Sequence, residues 1–103
     1  RLQLPKHATA GYVSPREREL GCVARRVRVP RGLGGFSSGP VQVEFAVEPD
    51  GTIGSFQFLS DAPVPIARAV RDAVLSCEWE PGKDPSGEFV RVWVIMPLRF
   101  RGG

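Results

Sequence analysis

The chain has 103 residues, of which 42% are hydrophobic and 24% are charged, a size and balance typical of one globular domain with a single core. It contains no apolar run of about 18 residues, which excludes a membrane-spanning helix within this sequence. Because the chain begins without a methionine and without an apolar signal segment, we expect it to be part of a longer or processed protein.

Positive charge is concentrated near the N-terminus, although the net charge of the chain is only +3. Residues 1–32 contain eight Lys or Arg against Glu17 and Glu19, a net charge of +6, and the other residues contain six basic against nine acidic groups, a net charge of −3. This asymmetry indicates either a segment that binds an anionic partner or one that lies against the acidic remainder of its own domain. We favour the second interpretation, because these arginines are interleaved with valines.

The two cysteines, Cys22 and Cys77, are 55 positions apart and form no CxxC pair. His7 is the single histidine, so the sequence lacks the ligand set of a zinc site. From their spacing alone, the cysteines are either a disulfide or two buried thiols.

The first predicted element is a short helix over residues 14–21, which follows a flexible lead-in over residues 1–11. Ser14 suits the N-cap position and Pro15 suits the first helical turn. Gly21 is a typical residue to end the helix.

Residues 22–29 (CVARRVRV) are predicted to form a strand, because apolar and polar residues alternate over most of the segment. Pro30 would end this strand. Residues 31–40 are rich in Gly and Ser but match neither common phosphate-binding loop pattern, so we interpret them as a connection.

A β-hairpin is predicted next, with strands at residues 41–47 and 52–59. The first strand alternates strictly between apolar and other residues, and residues 48–51 (EPDG) have the composition of a turn. From Pro65 to Cys77 the apolar residues recur with helical spacing, which predicts an amphipathic helix packed on the sheet. Its predicted buried face consists of Ile66, Val70, Ala73, Val74 and Cys77.

The last predicted strand covers residues 88–100, after a loop in which Trp79 is expected to cover the end of the helix. Every even position from Val90 to Phe100 is apolar, so this face is expected to contact the core. The odd face carries Trp93 and Ile95, which need cover from the N-terminal segment or from something else. Pro97 has no N–H group, so we expect its nitrogen to face outward, which marks the strand as a sheet edge or as a bulge near one.

The sequence offers no arrangement typical of catalysis or of cofactor binding. A nucleophile needs a neighbouring base, and His7 lies in the lead-in. No nucleotide-binding motif occurs, and the aromatic pair Phe56 and Phe58 lacks the basic neighbours of an RNA-binding sheet. We therefore expect no enzyme, no metal, no cofactor and no nucleic-acid partner, and favour recognition of a protein at a sheet edge.

Four motifs follow one another between residues 39 and 100, namely GPVQVEFAVEPDG, IARAVRDAV, WEPG and VWVIMPLRF. In this respect the sequence resembles the C-terminal domain of the TonB family of energy transducers. That family shows G-x-V-x-V-x-F-x-V-x-x-D-G, an Ala-rich amphipathic helix, an aromatic-x-P-A/G loop and V-x-V-x-x-P-[ILV]-x-F. The matching residues are Gly39, Val41, Val43, Phe45, Val47, Asp50, Gly51, Ala69, Ala73, Trp79, Pro81, Gly82, Pro97, Leu98 and Phe100.

The resemblance implies an α+β fold, with an antiparallel sheet of three to four strands and two helices packed on it. The expected order is a short α, then β, β, β, α and β. Residues 12–103 would form this single domain. Residues 22–38 are an insertion relative to the family pattern, and a strand at residues 22–29 would cover a sheet edge that the family leaves open.

The resemblance also implies a location in the periplasm of a Gram-negative bacterium. The parent protein would be anchored in the inner membrane by an N-terminal helix outside this sequence, and driven by an ExbB/ExbD-like proton motor. Because the periplasm is oxidising, the resemblance favours a disulfide between Cys22 and Cys77.

Family members bind an outer-membrane partner by pairing their C-terminal strand with an extended segment of it. The resemblance therefore implies a non-catalytic protein-binding domain whose partner is an outer-membrane or periplasmic protein. Pairing would run along residues 90–96 and stop at Pro97. The alternative is a structural, self-associating module, for example a strand-exchanged dimer, in an envelope machine such as one for gliding motility. The candidate contact residues are Arg91, Val92, Trp93, Val94, Ile95, Met96 and Arg99, with Tyr12 as a further candidate.

Overall fold

A computed structural model describes residues 10–28 and 41–99 of the chain. Three predicted features lie outside these residues, namely most of the lead-in, the Gly-rich connection at residues 31–40 and the strand end at Phe100. No described helix is both long and apolar enough to cross a membrane. The elements are β1 (Arg16–Glu17), α1 (Cys22–Arg26), β2 (Val41–Val47), β3 (Ile53–Phe58), α2 (Val64–Ser76), β4 (Trp79–Glu80), β5 (Gly82–Lys83), β6 (Phe89–Val90) and β7 (Val92–Leu98).

The central sheet has three antiparallel strands in the order β3-β2-β7, which confirms the predicted α+β class and the predicted hairpin. The middle strand β2 supplies much of the core, because its four alternating apolar side chains are at most 1% exposed. Between β2 and β3, Gly51 has a φ of 88°, a left-handed conformation that favours glycine in this turn. The buried side chains of β2 are Val41, Val43, Phe45 and Val47.

Helix α2 packs on one face of this sheet with the predicted residues, since Ile66, Val70, Ala73 and Val74 are all buried. Each of the three fully buried Ile and Val side chains contributes about 1.5–3 kcal/mol. Trp79 covers the end of the helix. Its indole Nε1 donates to the carbonyl of Val74 at 3.1 Å.

The predictions for residues 14–26 are wrong in detail. Within the predicted helix the chain instead forms β1, which pairs antiparallel with β4, and helix α1 begins at Cys22, within the predicted strand. Gly21, with a φ of 82°, precedes the helix. The Glu17 carboxylate accepts hydrogen bonds from the N–H groups of Gly21 at 3.1 Å and Val23 at 2.8 Å, and thereby caps the helix N-terminus. Cys22 and Val23 are buried, as a short amphipathic helix requires.

The N-terminal segment lies against the chain that follows α2. Besides the β1–β4 pair, Val13 exchanges backbone hydrogen bonds with Lys83 at 2.9 and 3.0 Å. Strand β5 pairs in turn with β6, which leads through Arg91 into β7. This small antiparallel unit holds the start of β7 in place.

Candidate protein-binding edge of the sheet

Strand β7 forms one edge of the central sheet. All seven of its residues pair with β2, from Leu98 opposite Val41 to Val92 opposite Val47. No second strand pairs with β7 in the part of the chain that the structure describes. The expected cover from a strand at residues 22–29 is not found over residues 22–26, because these form α1, which packs against α2.

The register shows which backbone groups of β7 point away from β2. Gln42 lies opposite Pro97. The N–H of Gln42 donates to Ser60 Oγ at 2.9 Å, and its carbonyl accepts from the N–H of Leu59 at 2.8 Å, both towards β3. Directly opposed residues in an antiparallel pair exchange two hydrogen bonds or none. Pro97 and Gln42 therefore exchange none, and the nitrogen of Pro97 faces the outer edge as the sequence predicted.

The same alternation applies along the rest of β7. The N–H and carbonyl groups of Met96 and Leu98 point towards β2, whereas those of Ile95 point to the outer edge. A proline at position 97 therefore costs no hydrogen bond within the sheet. It also removes one donor from the outer edge, which limits pairing beyond this point.

The side chains of β7 alternate between the two faces of the sheet. Val94 and Met96 are half-buried against the core, and Val92 is fully buried. The backbone N–H and carbonyl groups of these three candidate residues point to β2, so neither their side chains nor their hydrogen-bonding groups are directed at a partner on the outer edge. Ile95, by contrast, is 46% exposed on the face opposite α2, next to the half-buried Trp93.

Arg91 supports Trp93 at the start of the strand. Its guanidinium lies 5.3 Å from the centre of the Trp93 ring, a cation–π contact. The Nε atom lies 3.2 Å from Glu48 Oε2, an ion pair without the alignment of a hydrogen bond, and Nη2 donates to Ser55 Oγ at 3.2 Å. Arg91 is thus held by β3 and the hairpin turn, with its guanidinium against the Trp93 ring.

The structure separates the remaining candidates from one another. Arg99 is exposed directly after β7. Tyr12 is half-buried next to Val13, which pairs with Lys83 of β5, so this part of the chain lies on the β5–β6 unit rather than along β7.

Cys22 and Cys77 form a disulfide in the structure, with their Cα atoms 6.1 Å apart. The bond joins the start of α1 to the residue after α2, and both residues are buried. It therefore lies in the helix layer rather than at the β7 edge.

Glu48 and Ser55 are two supporting residues that the sequence did not reveal. They contact Arg91 across 43 and 36 positions of the chain, so no local spacing connects them with it. The predicted hairpin alone would have placed Glu48 at a turn and Ser55 on a strand face. Only the pairing of β7 with β2 brings Arg91 to them.

The arrangement of hairpin, helix and C-terminal edge strand corresponds to a known family. Residues 37–101 match the family described as Gram-negative bacterial TonB protein C-terminal. The chain belongs to this family. The TonB C-terminal domain described here is also similar to the solution NMR structure of the Pseudomonas aeruginosa TonB C-terminal domain, with a TM-score of 0.52, 21% identity and 92% of each chain covered. No curated protein sequence matches it.

Membership of the TonB C-terminal family sets the general role of the chain. Such domains are the protein-interacting parts of trans-envelope proteins and function in the periplasm of Gram-negative bacteria. The similar NMR structure supports the fold, and the family match supports this general role.

Proposed function

We propose that this domain binds an extended segment of an outer-membrane or periplasmic protein by adding it as a strand to β7. The observation that carries the proposal is the orientation of the Ile95 peptide groups, which point away from β2. A strand added there would form main-chain hydrogen bonds for affinity, and alternate side chains would provide selectivity.

The side chains of the outer sheet face favour an apolar residue in the partner segment. Ile95 is exposed there, and Trp93 is held beside it by Arg91. Burying such side chains against a partner would contribute about 25 cal/mol per Å² of apolar surface. The pairing would end at Pro97, whose carbonyl remains available at the edge but which has no N–H to donate.

The proposed role is non-catalytic. In the parent protein, an N-terminal inner-membrane anchor and an ExbB/ExbD-like proton motor would supply the energy that the domain transmits to its partner. Family membership supports this part of the proposal.

Self-association through β7 is the alternative use of the same edge. In an antiparallel pair of two β7 strands centred on Ile95, Arg91 of one copy would lie opposite Arg99 of the other. Like charges directly opposite each other on neighbouring strands are destabilising. The charge pattern therefore favours a different protein as the partner over a strand-exchanged dimer.

A photo-crosslinking amino acid at position 95 of the full-length protein in its own bacterium tests the location of the edge. Leu75 is the matched control, because it is apolar, 45% exposed against 46% for Ile95, and lies on α2 beside β3. We expect a crosslinked envelope protein from position 95 and none from position 75. Crosslinking from position 75 instead would place the partner at the β3 side and contradict the proposal.

The variant Ile95→Pro then tests the main-chain hydrogen bond. It removes an N–H that does not pair with β2, whereas Ile95→Val keeps that N–H. Losing one hydrogen bond of about 1 kcal/mol weakens binding about fivefold, and the proline ring adds a steric obstacle. With the photo-crosslinking amino acid moved to position 93, we expect Ile95→Pro to weaken the crosslink at least about fivefold and Ile95→Val to leave it unchanged. A dimer that forms with increasing concentration in solution, and that Ile95→Pro disrupts, would support self-association instead.

A further inference from the structure

A groove between α1 and α2, away from β7, has arginine at three of its six lining positions. Its volume is about 360 Å³, close to the lower end of the roughly 300–1,000 Å³ of ligand pockets. Residues of α2 form one wall and the C-terminal end of α1 with the following chain forms the other. The lining residues are Arg26, Arg28, Pro65, Arg68, Ala69 and Asp72.

The charge of this groove is not balanced within it. Asp72 is its single acidic residue, against three arginines, which leaves a formal charge of +2. Arg26 Nη1 donates to the carbonyl of Ser76 at 2.9 Å, a neutral acceptor that orients the guanidinium without neutralising it. Arg28 and Arg68 are exposed, and in the described ranges neither has a carboxylate within 4 Å.

The segments outside the described residues contain no Asp or Glu side chain that could neutralise the arginines of the groove. All 11 Asp and Glu residues lie within the described ranges, since residues 1–9, 29–40 and 100–103 contain none. Several of these carboxylates are engaged elsewhere: Glu19 pairs with Arg25 and Glu80 with Arg18. The favoured interpretation of the N-terminal charge therefore applies to Arg18, which pairs with Glu80, but not to Arg25, whose partner Glu19 lies in the same segment, nor to Arg26 and Arg28 of the groove.

We propose that this groove binds an acidic, extended segment of a protein partner, independently of the β7 edge. The planar guanidinium groups bind carboxylates through paired hydrogen bonds, and the apolar surface of Pro65 and Ala69 suits the methylene carbons of Glu side chains. A concave groove of this volume accommodates one or two side chains, which fits a peptide better than a flat membrane surface. The groove lies in the helix layer, whereas Ile95 lies on the opposite face of the sheet, so both sites are accessible together.

Binding of an oligoglutamate peptide to the whole domain, measured by calorimetry at low and high salt, tests the proposal. We expect binding that weakens as salt rises, because exposed charges are screened beyond about 10 Å at 0.1 M. Arg28→Gln and Arg68→Gln should each lower the affinity about two- to fivefold, the effect of removing one exposed ion pair. An oligoglutamine peptide should not bind.

Arg71→Gln is the matched control, because Arg71 is an exposed arginine of the same helix that lies outside the groove. It should bind oligoglutamate as the unmodified domain does, and so should Ile95→Pro, which separates this proposal from strand addition at β7. No binding, or equal loss in Arg71→Gln and Arg68→Gln, would overturn it. The proposal would also be overturned if the domain bound phosphatidylglycerol vesicles or inorganic phosphate in an Arg68-dependent way but did not bind the peptide. That result would indicate a phosphate site instead.

Discussion

The disulfide between Cys22 and Cys77 is expected to supply a large part of the stability of this domain. It closes a loop of 55 positions, and the chain-entropy relation for such a loop gives about 4 kcal/mol. Domains of this size are stable by roughly 5–15 kcal/mol. Reducing the bond should therefore remove a substantial fraction of the free energy of unfolding.

The structure predicts which part of the domain unfolds first once the disulfide is reduced. Helix α1 has five residues, too few to be stable alone, and it is attached to α2 by the disulfide and by the hydrogen bond from Arg26 to Ser76. After reduction, α1 should separate from α2 at lower denaturant than the central sheet unfolds. Slowly exchanging amides of β2 should remain protected longer than those of Val23 and Val27.

Urea unfolding followed by circular dichroism, with and without a phosphine reductant, measures the effect. With a denaturant slope of roughly 2 kcal/mol per M, the midpoint should fall by about 2 M on reduction. A variant with Cys22→Ala and Cys77→Ala should unfold near the reduced midpoint and should not respond to the reductant. Two reactive thiols in the denatured, unreduced protein, or an unchanged midpoint after complete reduction, would refute the reasoning.

Three further predictions concern packing and pH. Trp79→Phe should lower the free energy of unfolding by about 1–3 kcal/mol in urea titrations, because the carbonyl of Val74 loses its buried donor; an unchanged midpoint would show that this bond is not needed. Gly82→Ala should lower the free energy of unfolding by about 1–3 kcal/mol in the same assay, because a Cβ at position 82 would lie 2.7 Å from Cγ2 of the buried Val92. A variant as stable as the unmodified domain would contradict this packing. The Ser86 hydroxyl, followed by backbone N–H groups, holds the pKa of Asp84 below its usual 3.8. The ionised Asp84 carboxylate therefore stabilises the fold above pH 3.8, and this stabilisation is lost as the pH falls through the lower pKa of Asp84 in the folded state. Asp84→Ala should flatten the acid side of a curve of unfolding free energy against pH. A curve of unchanged slope would argue against this role of Asp84.

The β2–β3 hairpin and helix α2 were predictable because their signals are local. Strict alternation over residues 41–47, a turn with Gly51, and apolar residues at helical spacing in α2 each identify an element without reference to the rest of the chain. The buried face of α2 was predicted residue by residue, since helix geometry alone determines which side chains share a face.

Residues 14–26 show the limit of this reasoning. Ser14, Pro15 and Gly21 have the composition of a helix with its caps, but pairing of β1 with β4 and the capping of α1 by Glu17 outweigh that local preference. The backbone groups of this segment are satisfied by distant residues, which composition does not reveal.

At the candidate site, the sequence identified the strand and the meaning of its proline, and the tertiary structure decided which of its residues a partner can contact. Pro97 indicated an edge because a residue without an N–H is excluded from a ladder on that side. The register with β2 then turned Val92, Val94 and Met96 to the core, left Ile95 exposed, and brought Glu48 and Ser55 to Arg91. Local periodicity is a property of one segment, whereas an edge, a register and the charge balance of a groove depend on which distant segments meet.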